Sequence, residues 1–346
     1  MADDSSRQQE TALPGYAAPM EGITGYLWRR VHHDFFGDWT SRYYTPFVVS
    51  THTRSLKTRE IQDVLPENNE GVPTVPQVLA NKPEEFLSTA ERLSSLGWRE
   101  INLNLGCPVA MVANKGKGSG FLRDPEGLER FFEQVLPGCE KLGVRLGIKT
   151  RLGFSDAGEA ERLFALYAKY PFSEVIVHAR TREQMYGGQP DLEAFAAATG
   201  CLPAGMQVCY NGNLFTAGDA REILSRLPKA PDAWMCGRGL LANPALTREL
   251  QGGPVLTPAE LSAYHARLYE EYRRVSSDTR HGTPGDRVLL SRMKEHWAFL
   301  GAVFPGQEKL VKAVLKSGTR MEYEAAVRIL FGHVREVGRT DAGIRA

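Results

Sequence analysis

Ile101-Asn102-Leu103-Asn104-Leu105-Gly106-Cys107-Pro108 is an apolar run that ends by presenting a cysteine. The pattern repeats along the chain. The run 144–149 ends in Lys149, and 174–178 ends in His178 and continues into Arg180. The run 206–213 ends in Asn211-Gly212-Asn213, and 233–239 in Gly237-Arg238-Gly239. Strands are predicted over 16–20, 43–49, 75–79, 101–105, 145–149, 175–178, 207–210 and 233–236, recurring at roughly 30 residues. They are largely continuous apolar runs rather than alternating ones, as parallel strands covered on both faces should be. Amphipathic spacing predicts helices over 83–96, 125–142, 157–169 and 217–227. The first opens on Pro83-Glu84-Glu85, with acids where the helix dipole favours them, and stops before Gly97. This alternation predicts an α/β fold, a (β/α)8 TIM barrel, whose strand ends converge on one mouth where such barrels place their active sites.

The pattern changes near Gln251-Gly252-Gly253-Pro254. Beyond it only helical periodicity remains, over 258–275, 287–300, 308–317 and 322–337, which predicts a small all-α domain packed on the barrel. The expected organisation is a mobile tail over 1–14, a barrel over 15–252 and a helical domain over 253–346. The net charge of +1 announces no nucleic-acid partner, but its distribution is uneven. Residues 1–254 carry 27 Lys+Arg against 30 Asp+Glu, and residues 255–346 carry 15 against 11, so the second domain is suited to an anionic partner.

Cys107, Cys139, Cys201, Cys209 and Cys236 are odd in number and form no CxxC pair, which argues against a disulfide framework or zinc site and for a reducing compartment. His32-His33 and the scattered other histidines lack metal-ligand spacing. Residues 1–14 are polar and acidic, without the hydrophobic core of a signal peptide, and no apolar run is long enough to span a bilayer. A cytoplasmic protein without membrane or metal is expected, and nothing demands more than a monomer.

Cys107 stands out among the cysteines, because Pro108 cannot continue a strand and stiffens the turn that holds the thiol at the mouth. With an ordinary pKa of about 8.5 it is mostly protonated near neutrality, so it can donate a proton as well as act as a nucleophile. Lys115-Gly116-Lys117-Gly118-Ser119-Gly120 lacks both Rossmann spacing and the Walker lysine position, and reads as a flexible active-site loop. A strand-end Lys149 is either a Schiff-base nucleophile or a fixed positive charge. His178, Arg180 and Arg182 add donors for a phosphate or a ring carbonyl. The two glycine-bearing tripeptides end the seventh and eighth strands, between which barrels commonly bind phosphate. A phosphate grip with a lysine, a histidine and a cysteine around one mouth suits flavin mononucleotide, whose reduced ring gains from a nearby cation.

Several segments resemble the tRNA-dihydrouridine synthase family. They are Ala18-Pro19-Met20-Glu21-Gly22-Ile23-Thr24, Pro76-Gln77-Val78, Asn104-Leu105-Gly106-Cys107-Pro108, Gly147-Ile148-Lys149, Val177-His178-Ala179-Arg180-Thr181-Arg182, Asn211-Gly212-Asn213, Gly237-Arg238-Gly239 and Arg292-Met293-Lys294-Glu295-His296. The resemblance implies an FMN barrel that reduces uridine in tRNA and takes its electrons from NADPH. By position it implies that Pro19, Met20, Gln77, Lys149, His178, Asn211, Gly212, Asn213, Gly237 and Arg238 hold FMN, and that Asn104 and Arg180 contact the uracil. Cys107 is then the general acid for C5, while a hydride reaches C6. The target base must leave the RNA fold to enter a barrel mouth. Arg287, Arg292, Lys294, Lys309, Lys312 and Lys316 of the helical domain are expected to grip the tRNA backbone. Ala179 and Ser119 depart from the glycine and alanine common in relatives. Three other readings fit parts of the pattern: a flavin barrel reducing a small-molecule enone or pyrimidine, an RNA-binding barrel without catalysis, and a lysine-dependent aldolase.

Overall fold

The computed structural model describes residues 13–51, 58–276, 285–334 and 336–337. Eight parallel strand segments surround a common interior. They are β1 (Gly15–Ala17), β2 (Thr40–Tyr44 and Val48–Val49), β3 (Thr74–Val75 and Gln77–Leu79), β4 (Glu100–Asn104), β5 (Arg145–Gly153), β6 (Glu174–Thr181), β7 (Gln207–Asn211) and β8 (Ala233–Cys236). β2 and β3 are each broken where Pro46 and Pro76 supply no N–H to the ladder. Both pieces of β2 pair with the corresponding pieces of β3, β3 pairs with β4, and the sequence of neighbours runs on through β8 back to β1 and β2. The ring is therefore closed, and the predicted TIM barrel is the fold.

Period-two alternation sorts the strand residues between two faces. Tyr16, Tyr44, Val75, Ile176, Cys209, Ala233 and Met235 form one buried cluster inside the barrel. Ala17, Tyr43, Val78, Leu103, Ile148, Val175, Val177, Val208, Tyr210, Trp234 and Cys236 belong to the larger cluster under the helices. The same alternation, continued toward the carboxyl ends, puts Gln77, Asn102, Asn104, Lys149, Arg151, His178, Arg180 and Asn211 on the inner face. The site is thus the polar continuation of the barrel's inner layers.

The predicted helices appear as Pro83–Ser95, Pro125–Lys141, Glu159–Tyr167 and Ala217–Arg226. Asp124 caps the second and a Thr216–Asp219 capping box opens the fourth. Helices Tyr26–Phe36 and Leu192–Gly200 fill gaps the periodicity did not single out. After β8 come two short helices, Arg238–Ala242 and Leu246–Leu250, then four longer ones, Pro258–Ser276, Gly285–Leu300, Glu308–Lys316 and Arg320–His333. These C-terminal helices are not a free appendage. Tyr264 packs edge-on against His32 and Phe35, and Arg248 pairs with Glu260 at 2.6 Å. Most of the predicted tail, residues 1–12, lies outside the described residues, as does the C-terminus beyond 337. Pro14 itself is anchored, its carbonyl accepting the Trp234 N–H at 2.9 Å. None of the described helices is long and apolar enough to cross a membrane.

Candidate active site

A cavity of about 260 Å³ opens at the carboxyl ends of the strands. Its lining includes Pro19, Met20, Gln77, Asn104, Cys107, Lys149, His178, Asn211, Gly212, Asn213, Gly237 and Arg238, each named from the sequence. Residues from all eight strands or the connections that follow them meet there, although up to about 220 positions separate them in the chain.

On the β3–β6 side the polar side chains hold one another. Gln77 Nε2 donates to Asn102 Oδ1 at 2.8 Å, and Asn104 Nδ2 donates to Gln77 Oε1 at 2.7 Å. Asn104 Oδ1 in turn accepts the N–H groups of Gly106 and Cys107 at 3.0 and 2.9 Å. This chain of amides sets the turn that carries the thiol. The Cys107 carbonyl is fixed from beyond the turn by Ser119, through its N–H (3.1 Å) and hydroxyl (2.7 Å). The glycine-rich stretch expected as a flexible loop is packed from Gly118 onward, with Gly118 to Leu122 buried and Lys115 exposed. Gly118 has φ +57°, and a Cβ there would lie 3.0 Å from both Cys107 Cβ and Cys107 O, so glycine lets the chain fold back onto the cysteine. Burial pushes the Cys107 thiol pKa up, only partly offset by the Val109 N–H and Arg151.

Lys149 does not end its strand: β5 runs on to Gly153, so the lysine lies mid-strand on the inner face. Its Nζ donates to Asn211 Oδ1 at 3.0 Å, and Asn211 Nδ2 donates to the Met235 carbonyl at 2.8 Å. Burial, reinforced by Arg151, lowers the lysine pKa to about 8. Burial and the cations Arg151, Lys149, Arg180 and Arg238 hold His178 well below the usual imidazole range, so it is neutral at physiological pH.

The β7–β8 side is built differently. Asn213 adopts a left-handed conformation (φ +42°), and its Oδ1 accepts from Arg238 Nη2 at 3.2 Å and Arg180 Nη2 at 3.1 Å. Gly239 lets the Leu214 backbone sit against the first turn of helix Arg238–Ala242, where a Cβ would come 2.0 Å from the Leu214 carbonyl. The result is a small-residue cradle rimmed by Arg238, whose guanidinium also lies 4.9 Å from the Tyr186 ring.

Three residues singled out in the sequence lie elsewhere. Arg180 is fully buried and absent from the lining; it ties the Gly187 and Gly188 carbonyls to Asn213. Arg292 reaches from helix Gly285–Leu300 to the Gly22 carbonyl at 2.9 Å, and so touches the loop that carries Met20 rather than the cavity. Lys294 donates to the Ser317 carbonyl within the C-terminal helices. Conversely, Arg151, Tyr186, Glu21 and Phe215 line the cavity without having been singled out. Arg151 Nε donates to the Gly106 carbonyl at 2.8 Å, and its Nη1 to the carbonyls of Thr181 and Met185 at 2.8 and 2.9 Å. One side chain therefore joins the cysteine turn to the loop after β6. The signal was present: Arg151 stands two residues after Lys149, the spacing that keeps a strand residue on the same face.

The donor set fits flavin mononucleotide. The β7–β8 cradle offers glycine backbone and a guanidinium to a phosphate, while Lys149 and neutral His178 offer a cation and a polar ring deeper in the cavity.

The dihydrouridine synthase family model matches residues 16–307. A Staphylococcus aureus protein named "Probable tRNA-dihydrouridine synthase" is 28% identical over 266 residues, covering 74% of this chain and 77% of that protein. A Synechocystis protein named "Probable tRNA-dihydrouridine synthase 1" is 28% identical over 237 residues, covering 68% of this chain and 63% of that one. Among solved structures, dihydrodipicolinate synthase from Bacillus anthracis aligns loosely, at 9% identity and a TM-score of 0.42 over 93% of this chain and 99% of that chain. With the family model spanning the barrel and the start of the C-terminal helices, the chain belongs to the dihydrouridine synthase family.

Proposed function

We propose that the protein reduces the 5,6 double bond of specific uridines in tRNA. The observation that carries this reading is the placement of a protonated thiol and a phosphate cradle at opposite sides of one cavity, with polar donors between them. FMN, held by Pro19, Met20, Gln77, Lys149, His178, Asn211, Gly212, Asn213, Gly237 and Arg238, supplies hydride chemistry when bound and is recharged by NADPH.

The chain's own residues do the rest. Cys107 is the general acid: its raised pKa keeps the proton on sulfur until C5 of the uracil takes it. The resulting thiolate regains a proton from water. Asn104, held by Gln77 and the Cys107 N–H, orients a pyrimidine edge next to the thiol in this reading. Arg151 supplies the cation on that side, because Arg180 is committed to bracing Asn213 and the 187–188 turn. Lys149 remains a charge that favours an anionic reduced ring rather than a Schiff-base nucleophile, being hydrogen-bonded to Asn211. A base can reach this depth only when turned out of the RNA. The C-terminal helices expose Arg287, Lys309, Lys312 and Lys316 as candidate backbone contacts, with Arg292 bracing the β1 loop.

The test is anaerobic mixing of the photoreduced, flavin-loaded protein with tRNA lacking dihydrouridine. The expected result is rapid flavin reoxidation by that tRNA and none by free uridine. Reoxidation by free uridine or a small enone, with no response to tRNA, would assign the site to a small-molecule reductase.

A further inference from the structure

The ends of β5 and β6 carry a second cationic feature that is not part of the cavity lining. Arg182 follows β6, and its N–H donates to the Gly153 carbonyl at 2.9 Å. Its guanidinium lies 5.2 Å from the centroid of the Phe154 ring. Arg123, at the end of the packed stretch that closes over Cys107, lies 4.6 Å from the same centroid. Arg123 is anchored by Nη2 to the Ala113 carbonyl (3.2 Å) and by Nε to the Gly120 carbonyl (3.4 Å). Two guanidinium groups thus share one ring, separated by at most about a Debye length at 0.1 M salt. The π face of the ring attracts both cations, and the positive potential they share favours an anion beside them.

The neighbouring carboxylates have other partners. Glu159 accepts the N–H groups of Phe154, Ser155 and Asp156 at 2.7–3.1 Å. Asp156 accepts the Gly158 N–H, Asp124 the Gly127 N–H, and Glu183 the Ser155 hydroxyl. Among the described residues neither Arg123 nor Arg182 forms an ion pair with a carboxylate. Arg182 Nε is moreover buried with no hydrogen-bond partner. Both guanidinium groups are therefore held in place by the ring and by carbonyls, with no carboxylate answering their charge among the described residues.

We propose that Arg123 and Arg182, held on Phe154, form a phosphate-binding clamp on the β4–β6 rim, and that it takes a backbone phosphate of the RNA whose uridine enters the cavity. The assignment to RNA rests on the function proposed above. In that reading the β7–β8 cradle takes the single phosphate of FMN, so a second anion site calls for a second molecule. Arg123 is exposed, and neither arginine lines the cavity, as suits a polymer backbone running across the mouth. The anchor of Arg123 on the Ala113 and Gly120 carbonyls places that phosphate beside the segment that supports Cys107.

The experiment compares the flavin-loaded wild type with an Arg123→Gln/Arg182→Gln double variant in tRNA binding across a salt series. The clamp predicts a roughly tenfold weaker Kd near 0.1 M salt and a log Kd against log[salt] slope smaller by about one. Flavin content, and the rate of flavin reduction by NADPH without tRNA, should stay at wild-type values. An Arg123→Lys/Arg182→Lys variant should recover most of the salt slope, which a purely structural role would not produce. Slower reduction by NADPH with unchanged tRNA affinity would overturn the RNA assignment and give the phosphate to the dinucleotide. Unchanged binding and unchanged reduction would overturn the clamp itself. The clamp is judged by tRNA affinity, and the reductase reading by flavin reoxidation in the wild type, so the two fail separately.

Discussion

The two sides of the barrel mouth are made of different materials. The β7–β8 side is backbone, glycine and a left-handed asparagine, with Arg238 as its charged side chain. The β3–β6 side is a set of long polar side chains, Gln77, Asn104, Lys149, Arg151 and His178, pointing inward from consecutive strands. The first side can hold an anion without any group near it changing protonation. On the second, burial moves every titratable group: the thiol up, the lysine down to about 8, the imidazole far down. The contrast teaches that an anion grip and a proton-handling surface are built from different materials in this fold, with Lys149 and Asn211 joined at the border between them.

Substitutions should respect that division. The largest effect belongs to Cys107→Ala, which should cut turnover by about 10²–10⁴ while flavin content and tRNA affinity hold. A parallel loss of flavin would erase the distinction between the sides. Gln77→Leu comes next, because it strips Asn102 Oδ1 and Asn104 Nδ2 of their shared partner in a buried setting. It should cost about 1–3 kcal/mol of stability by denaturant titration and lower kcat through the cysteine turn. Unchanged stability would mean the amide chain is not a brace.

The smallest effect is a pH dependence at the border. With the free-protein lysine pKa lowered to about 8, Lys149 is charged below that pH and loses its charge above it. If its charge helps retain the flavin, FMN affinity should be flat below about pH 8 and fall by about tenfold above it. Lys149→Met should abolish this slope and set the affinity near the high-pH value throughout. The same shift has a consequence for folding in the apoprotein. Because the unfolded chain holds the lysine proton up to about 10.5, this group makes stability rise with pH between about 8 and 10.5. A downward trend assigned to Lys149 would contradict its burial.

Much of this was legible in the chain because parallel barrel strands advertise themselves as apolar runs, and their ends are read directly. Cys107, Asn211 and Gly237 lie at or just beyond strand ends, and all three line the cavity. The less legible parts have specific causes. β5 and β6 continue to Gly153 and Thr181, past Lys149 and His178 where the first apolar runs stop, because polar inner-face side chains are satisfied inside the barrel rather than by water. Stopping β5 at Lys149 hid Arg151, and Arg180, expected to contact the uracil, is buried as a brace between Asn213 and the Gly187 and Gly188 carbonyls. The glycine-rich stretch after Cys107 looked flexible because glycine is common in mobile loops. Its conformation answers instead to a close approach of backbone to Cys107. The C-terminal helices were recognisable from periodicity, but a helical pattern does not tell which lysine is turned inward, and Lys294 is spent on the Ser317 carbonyl.

The most direct test of the proposed reduction is position-by-position measurement of dihydrouridine in unmodified tRNA incubated with the purified protein, FMN and NADPH. The expected result is new dihydrouridine at a defined position, absent when Cys107→Ala replaces the wild type. A flavin-loaded wild-type protein that leaves every uridine unreduced would contradict it.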